Sequence, residues 1–275
     1  MLEIALKPVE TVRFHGEIVA LGGFRCPASH PLFRDSGPCN SNTFVFPRTM
    51  TAIRHEEGAR FVGNPATVGF FNREQRYTRS AISNVDATDW YVVADDVLLE
   101  ALSRFDRDVR PERPFAFTHA PADVETYVEQ RRLFELAPYL DALAIEERVL
   151  ALLRRVLAAA YRAQPRVSPA LRDQVEAARA AITRDFTRNA TLREIAAEAE
   201  ASPYHLCRAF RRLTGETMTS YRHSLRLRVA LERLRDRRVD LATLALDLGY
   251  DSHSHFTRAF RRVFGVPPSR YRATG

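Results

Sequence analysis

Hydrophobic and polar positions follow two different rhythms along this chain. From about Thr11 to Pro114 the apolar residues come in short runs rich in β-branched and aromatic types, among them Glu17–Leu21, Thr43–Phe46, Ala66–Phe71 and Trp90–Val93. Turn signals separate them: Gly22-Gly23, Ser36-Gly37-Pro38, Glu57-Gly58 and Asn64-Pro65. Short strands at regular spacing predict a small barrel or sandwich over 11–114. Asp95 to Phe105 interrupts it, with Val97, Leu98, Leu102 and Phe105 at helical spacing. From Asp123 the rhythm turns helical, predicting helices over Asp123–Leu136 and Asp141–Arg162. In the second, Ile145, Val149, Leu152 and Val156 form one apolar stripe, and Leu150, Leu153 and Leu157 form another beside it. So wide a face has two sides to bury, one against its own barrel and one against a second copy of the chain, which predicts a homodimer. Pro165 and Pro169 mark a linker at 165–169, dividing a first domain over 1–164 from a second over 170–275. Beyond the linker every periodic stretch reads as helix.

One internal repeat stands out in the second domain. Ser202–Gly215 reads SPYHLCRAFRRLTG and Ser252–Gly265 reads SHSHFTRAFRRVFG, with 8 of 14 positions identical at an offset of 50 residues. Tyr221-Arg222 and Tyr271-Arg272 repeat at the same offset, and a short apolar helix beginning at Leu192 or Leu241 precedes each block. Physical chemistry builds each block as a helix-turn-helix, over about 191–214 and 240–264. Thr191-x-x-Glu194 is a capping box that starts the supporting helix. Ser202 can cap the next helix, with Pro203 at its first position, where a missing N–H costs nothing. Leu206, Phe210 and Leu213 then face the core, as do Phe256, Phe260 and Val263 in the second block. Tyr204, Arg208 and Arg211, and likewise Ser254, Arg258 and Arg261, fall on a polar, cationic face. Gly249 frees the backbone of the second turn.

Such faces fit the major groove of double-stranded DNA. Arg208 and Arg258 have the reach for bidentate contact with guanine O6 and N7. Arg211, Arg212, Arg261 and Arg262 are placed for phosphates, which set register without reading sequence. The helix N-termini at Ser202 and Ser252 can donate N–H groups to phosphate oxygens. His255 is a packed or phosphate-facing residue. A single helix predicted over Thr219–Asp236, with Leu225, Val229 and Leu234 among its buried residues, spans about 27 Å. That length suits two recognition helices in successive major-groove segments, about 34 Å apart.

Charge agrees with this division. The 275 residues carry 41 basic and 34 acidic side chains, a net of +7. Residues 168–275 hold 20 Arg against 12 acidic residues, so the whole excess belongs to the second domain. All but one of the basic residues are Arg, Lys7 being the exception. Three scattered cysteines without CxxC spacing, and no leader or apolar run long enough to span a bilayer, predict a reduced, cytoplasmic setting with no membrane partner.

The run Gly249-Tyr250-Asp251-Ser252-x-x-x-Phe256-x-Arg258-x-Phe260-x-x-x-Phe264-Gly265-x-x-Pro268-x-x-Tyr271-Arg272 resembles the signature of the AraC/XylS family of bacterial transcription regulators, and the likeness extends from near Leu171 to Arg272. The resemblance implies base contacts from Tyr204, Cys207 and Arg208 in the first unit and from His253, Ser254, Thr257 and Arg258 in the second. Cys207 departs from the polar residue common there and suits a thymine methyl better than a hydrogen bond. The resemblance also implies an α+β two-domain fold: an N-terminal cupin-like β-barrel with following helices used for sensing and dimerisation, and a C-terminal all-α domain. Its function would be transcription activation under a small-molecule effector, with RNA polymerase as a partner and neither cofactor nor enzymatic activity.

A cupin metal oxygenase needs an HxH pair on a strand, and His15, His30, His55 and His119 supply none. Cys26-x-x-x-His30 with Cys39 nearby leaves open a metal- or thiol-sensing regulator. A DNA-repair methyl acceptor needs four clustered cysteines, and the chain has three. His253 and His255, two apart on a helix, point to different faces and do not share an ion. A constitutive DNA binder whose N-terminal domain only dimerises also stays open.

Overall fold

The computed structural model describes residues 7, 9–35, 37–56, 60–163 and 168–274. Its N-terminal part holds nine strands: β1 (Glu10–His15), β2 (Val19–Pro27), β3 (Thr43–Pro47), β4 (Thr51–His55), β5 (Arg60–Gly63), β6 (Thr67–Phe71), β7 (Tyr77–Ala81), β8 (Val85–Val93) and β9 (His119–Pro121). They form a six-stranded sheet in the order β1-β2-β8-β3-β6-β9 and a three-stranded sheet, β5-β4-β7, all antiparallel. Neither sheet closes on itself among the described residues, so of the barrel or sandwich that the strand pattern allowed, the strands make two open sheets and not the closed barrel that the resemblance implied. The sheet region also runs past Pro114, because β9 completes the edge beside β6. The turn expected at Glu57-Gly58 lies outside the described residues.

The strand period of two explains how these sheets are used. On β8, Asp86, Thr88, Trp90 and Val92 face the smaller sheet and line a cavity of about 90 Å³, together with Phe24, Cys39, Phe71, Tyr77 and Arg79. The indole of Trp90 lies over Gly22, where an added Cβ would come within 2.1 Å of the Thr11 carbonyl oxygen and 2.3 Å of the indole. Buried Arg79 pairs with Asp86 at 3.2 Å and lies over the Phe24 ring. The alternate residues of β8 face the opposite way. There Tyr91 joins Val19, Leu21, Phe44 and Phe46 in a core with three helices, α1 (Asp95–Ser103), α2 (Val124–Leu136) and α3 (Ala142–Arg162). Asp123 and Asp141 cap α2 and α3 through their side chains. Ile145, Val149, Leu152, Leu153, Val156 and Leu157 of α3 are all buried in this core. The two-sided burial that sequence assigned partly to a second copy is thus supplied within one chain.

The C-terminal part is all helix: α4 (Pro169–Arg184), α5 (Leu192–Glu198), α6 (Pro203–Thr214), α7 (Met218–Arg233), α8 (Leu241–Asp247), α9 (His253–Phe264) and α10 (Pro268–Thr274). Of the predicted linker, residues 165–167 lie outside the described residues, and Ser168 and Pro169 start α4 as its cap and first position. Two polar clusters hold this part against the sheets. In one, α4 lies on β5, and the Asn64 amide donates to Thr183 Oγ1 at 2.8 Å and to the Tyr221 hydroxyl at 2.7 Å. Beside it Arg179 donates to Thr67 and to Glu176, which is also 3.0 Å from His119 Nε2. In the other, Glu232 of α7 accepts from Arg48 at 2.7 Å and from the Tyr127 hydroxyl at 3.0 Å. Arg131 lies 3.2 Å from Glu232 and also pairs with the fully buried Asp89 on the outer face of β8.

Candidate nucleic-acid interface

Each recognition helix is positioned by a short supporting helix and a turn. Thr191 closes both halves of its capping box at the start of α5, and Asp240 caps α8 through Thr243 N–H. The turns differ by one residue, with 199–202 between α5 and α6 and 248–252 between α8 and α9. Each contains one left-handed residue, Glu200 at φ 48° and Gly249 at φ 77°. Glycine is required at the second: an added Cβ would sit 2.0 Å from the Thr187 carbonyl oxygen.

The two long helices then match closely. Both end on a left-handed glycine, Gly215 at φ 81° and Gly265 at φ 76°, whose N–H returns to the carbonyl four residues earlier. Leu206, Phe210 and Leu213 are buried on α6, and Phe256 and Phe260 on α9. Val263 departs from the expected core role. It is 39% exposed, because Phe264 turns inward instead, its ring 4.4 Å from that of Phe260 and 6.4 Å from that of Tyr271 on α10, tilted to both. Ser202 also departs. Its backbone is extended as a cap requires, yet its side chain makes no capping hydrogen bond to the first turn of α6, whereas Ser252 accepts from His255 N–H at 3.2 Å.

The predicted contact residues gather on the open faces. Tyr204, Cys207 and Arg208 are exposed on α6, and so are Ser202, Arg211 and Arg212. On the second unit Ser252, His253, Ser254, His255, Arg258, Arg261 and Arg262 are exposed and Thr257 is half-buried. The Arg208 guanidinium stands over the Tyr204 ring at 5.8 Å, and Thr257 Oγ1 lies 3.4 Å from His253 Nε2. His255 Nδ1 is 3.7 Å from Asp251, an ion pair when the ring is protonated. None of these faces is covered by the N-terminal sheets. Basic side chains, helix N-termini and few competing carboxylates make both surfaces receptive to a polyanion.

Sequence gave no sign of the residues that hold the two units together. Arg226 is 2% exposed, and Arg222 half-buried, on a helix whose basic residues look solvated. Cys26 and Cys39 are likewise separated. Cys26 packs with Phe33 and Trp90, Cys39 with Ile53 and Phe61, and His30 Nδ1 accepts the Leu32 N–H. Burial pushes the Cys26 thiol up and the Cys39 thiol up to about 12, the reverse of what a reactive thiolate needs. Among the described residues no group of three His, Cys, Asp or Glu side chains could hold a metal ion. No helix among them is long and apolar enough to cross a membrane.

Known proteins resemble the chain mainly over this region. A family described as a helix-turn-helix domain matches residues 195–274. The regulatory protein SoxS of Escherichia coli K12 is 38% identical over 78 residues, which are 28% of this chain and 73% of SoxS. A putative AraC-like transcription regulator of Streptomyces lividans is 35% identical over 89 residues, 32% of this chain, and the match spans only 29% of that protein's length. Among solved structures, ToxT from Vibrio cholerae aligns over 94% of this chain and 98% of its own at 14% identity, with a TM-score of 0.38. The C-terminal domain of AraT from Geobacillus stearothermophilus covers 40% of this chain and is itself covered to 89%, at 29% identity and a TM-score of 0.35. The sequence relatives, with the duplicated helix-turn-helix and its signature residues, carry the conclusion: the chain belongs to the AraC/XylS family of DNA-binding transcription regulators.

Proposed function

We propose that this regulator reads two successive major-groove segments on one face of a duplex, with one helix-turn-helix unit in each. One observation carries the reading: α6 and α9 present open cationic faces backed by matching buried pairs, Leu206 with Phe210 and Phe256 with Phe260, and closed by the same glycine cap. Tyr204, Cys207 and Arg208 contact bases in one segment, and His253, Ser254, Thr257 and Arg258 in the other. Ser202, Arg211, Arg212, Ser252, His255, Arg261 and Arg262 contact phosphates. Residues 1–164 form the sensing and dimerising domain, and 170–275 the DNA-binding domain. The facing sheets of the first are cupin-like in plan, and a small-molecule effector occupies the cavity between them. Trp90 supports that placement: it lines the cavity, and its Nε1–H is buried without a hydrogen-bond partner among the described residues, a donor that an effector's acceptor atom would satisfy. The regulator works as a homodimer and as an activator in contact with RNA polymerase.

Equilibrium binding to a duplex selected by the wild-type chain from a random library tests the DNA reading. Arg258→Ala weakens binding to that duplex by about 1–3 kcal/mol and relaxes preference at one base pair. Arg261→Ala weakens binding to all duplexes alike and lowers the salt slope by about one. Wild-type affinity and selectivity in both variants would remove the assignment.

A further inference from the structure

The two helix-turn-helix units are joined through one buried cation. Arg226 sits midway along α7 and has no carboxylate partner among the described residues. Instead its guanidinium donates to the Phe186 carbonyl at 2.7 Å, the Thr187 carbonyl at 2.7 Å, Asn189 Oδ1 at 3.1 Å and the Gly249 carbonyl at 2.9 Å. Phe186 and Thr187 follow the C-terminal end of α4, and Gly249 follows that of α8. These carbonyls belong to the connections that leave the two helices, and their partial negative charge is offset by a fixed guanidinium. One side chain therefore ties the loop after a helix that supports the first unit to the turn after a helix that belongs to the second. One turn earlier on α7, Arg222 donates to the Ala190 carbonyl at 3.1 Å, so the 186–190 loop is laid along α7 by two arginines. Gly249 finishes the joint. An added Cβ there would lie 2.0 Å from Thr187 O and 2.9 Å from Arg226 Nη2, so only glycine lets the second turn touch the first unit's loop.

We infer that Arg226 is a positioning residue for DNA recognition, fixing the separation and relative rotation of the two recognition helices. The helix α7 alone sets a length, but it does not fix how α4 and α5 on one side are rotated relative to α8 and α9 on the other. Arg226 does, because its planar fork accepts only one arrangement of these acceptors. A preset arrangement avoids an ordering cost on binding and restricts the protein to one spacing of the two base-pair blocks. Its role in recognition rests on the reading that both units engage one duplex.

Two measurements on the full chain test it. The first uses the duplex selected from a random library and its derivatives with one, two or three base pairs inserted between the two conserved blocks. Wild type loses at least about tenfold in affinity on a two-base-pair insertion, while Arg226→Lys, which keeps the charge without the fork, loses less than about threefold. Equal spacing discrimination in Arg226→Lys overturns the inference, and a selected site with a single block overturns the two-segment reading itself. The second needs no DNA. Cys207 is the exposed one of the three cysteines, so spin labels at Cys207 and at an introduced Ser254→Cys report the distance between the recognition helices. Wild type gives one narrow distance distribution, and Arg226→Lys a broadened or shifted one. Should that variant not fold, Arg222→Gln, at the half-buried neighbouring site, gives the same broadening to a smaller degree. A distribution unchanged in the variant measured refutes the joint whatever the DNA result.

Discussion

At the scale of single residues, the chain spends its special positions where backbones come together. Gly22 is pinned between the Thr11 carbonyl and the Trp90 indole, so the methyl group of Gly22→Ala can be admitted only by moving a paired strand or the cavity wall. Overpacking of this kind costs about 1–3 kcal/mol, which a urea melt measures. A variant as stable as wild type would show that Trp90 is not held as described. The two serines before the recognition helices offer a finer contrast. Ser252→Ala removes a real cap bond and lowers stability by about 1 kcal/mol, whereas Ser202→Ala, with no such bond to lose, changes it by a few tenths at most. Equal losses in the two melts would contradict the different cap geometries.

At the scale of elements, what is local was legible. The capping box at Thr191, the helices opened by Asp123 and Asp141, and the duplicated apolar stripe of α6 and α9 are all set by contacts within about one helical turn, and periodicity reports such contacts directly. Four of the strands were foreseen in part, at β2, β3, β6 and β8, although the turn expected at Gly22-Gly23 falls inside β2, where the two glycines pair with Trp90 and Asp89 of β8; their order was not foreseen. Placing β8 between β2 and β3 joins segments more than 40 residues apart, and nothing in a strand's own pattern names its neighbour. For the same reason closure could not be read, and two open sheets stand where the resemblance implied a barrel. Val263 failed for a local reason. Helical spacing allowed either Val263 or Phe264 to face inward, and α10, which sequence did not mark, decides for the larger ring by packing Tyr271 near it. The candidate contact residues lie on the open faces of α6 and α9, Thr257 half-buried among them, because exposure there follows from the helix period. The buried Arg226 was hidden because its acceptors lie 23 to 40 positions away.

At the scale of the whole molecule, the sheets and the helix-turn-helix part are joined by buried charge. Burial by itself would raise the Glu176 carboxyl, but Arg179 and His119 outweigh it and hold the group down at about 2. A carboxyl depressed in the folded state adds stability above its ordinary value near 4.5, and that stability is lost as pH falls towards 2. Unfolding free energy should therefore drop with falling pH across this window, and Glu176→Gln should flatten the slope; an unchanged slope would remove Glu176 from the contact. The second cluster bears on signalling. Trp90 lines the cavity, and Asp89, its neighbour on β8, points the other way into the group formed by Arg131 of α2 and Glu232 of α7. Cavity and DNA-binding part are thus served by opposite faces of one strand, so Glu232→Gln should alter how strongly the proposed effector changes DNA affinity. An effector response identical to wild type would uncouple them.

Hydroxyl-radical footprinting of the full chain on its selected duplex tests the two-unit account most directly. The expected pattern is two protected segments about 10 base pairs apart on one face, with Arg208→Ala weakening one segment and Arg258→Ala the other. A single protected segment, or both variants erasing the same one, would contradict it.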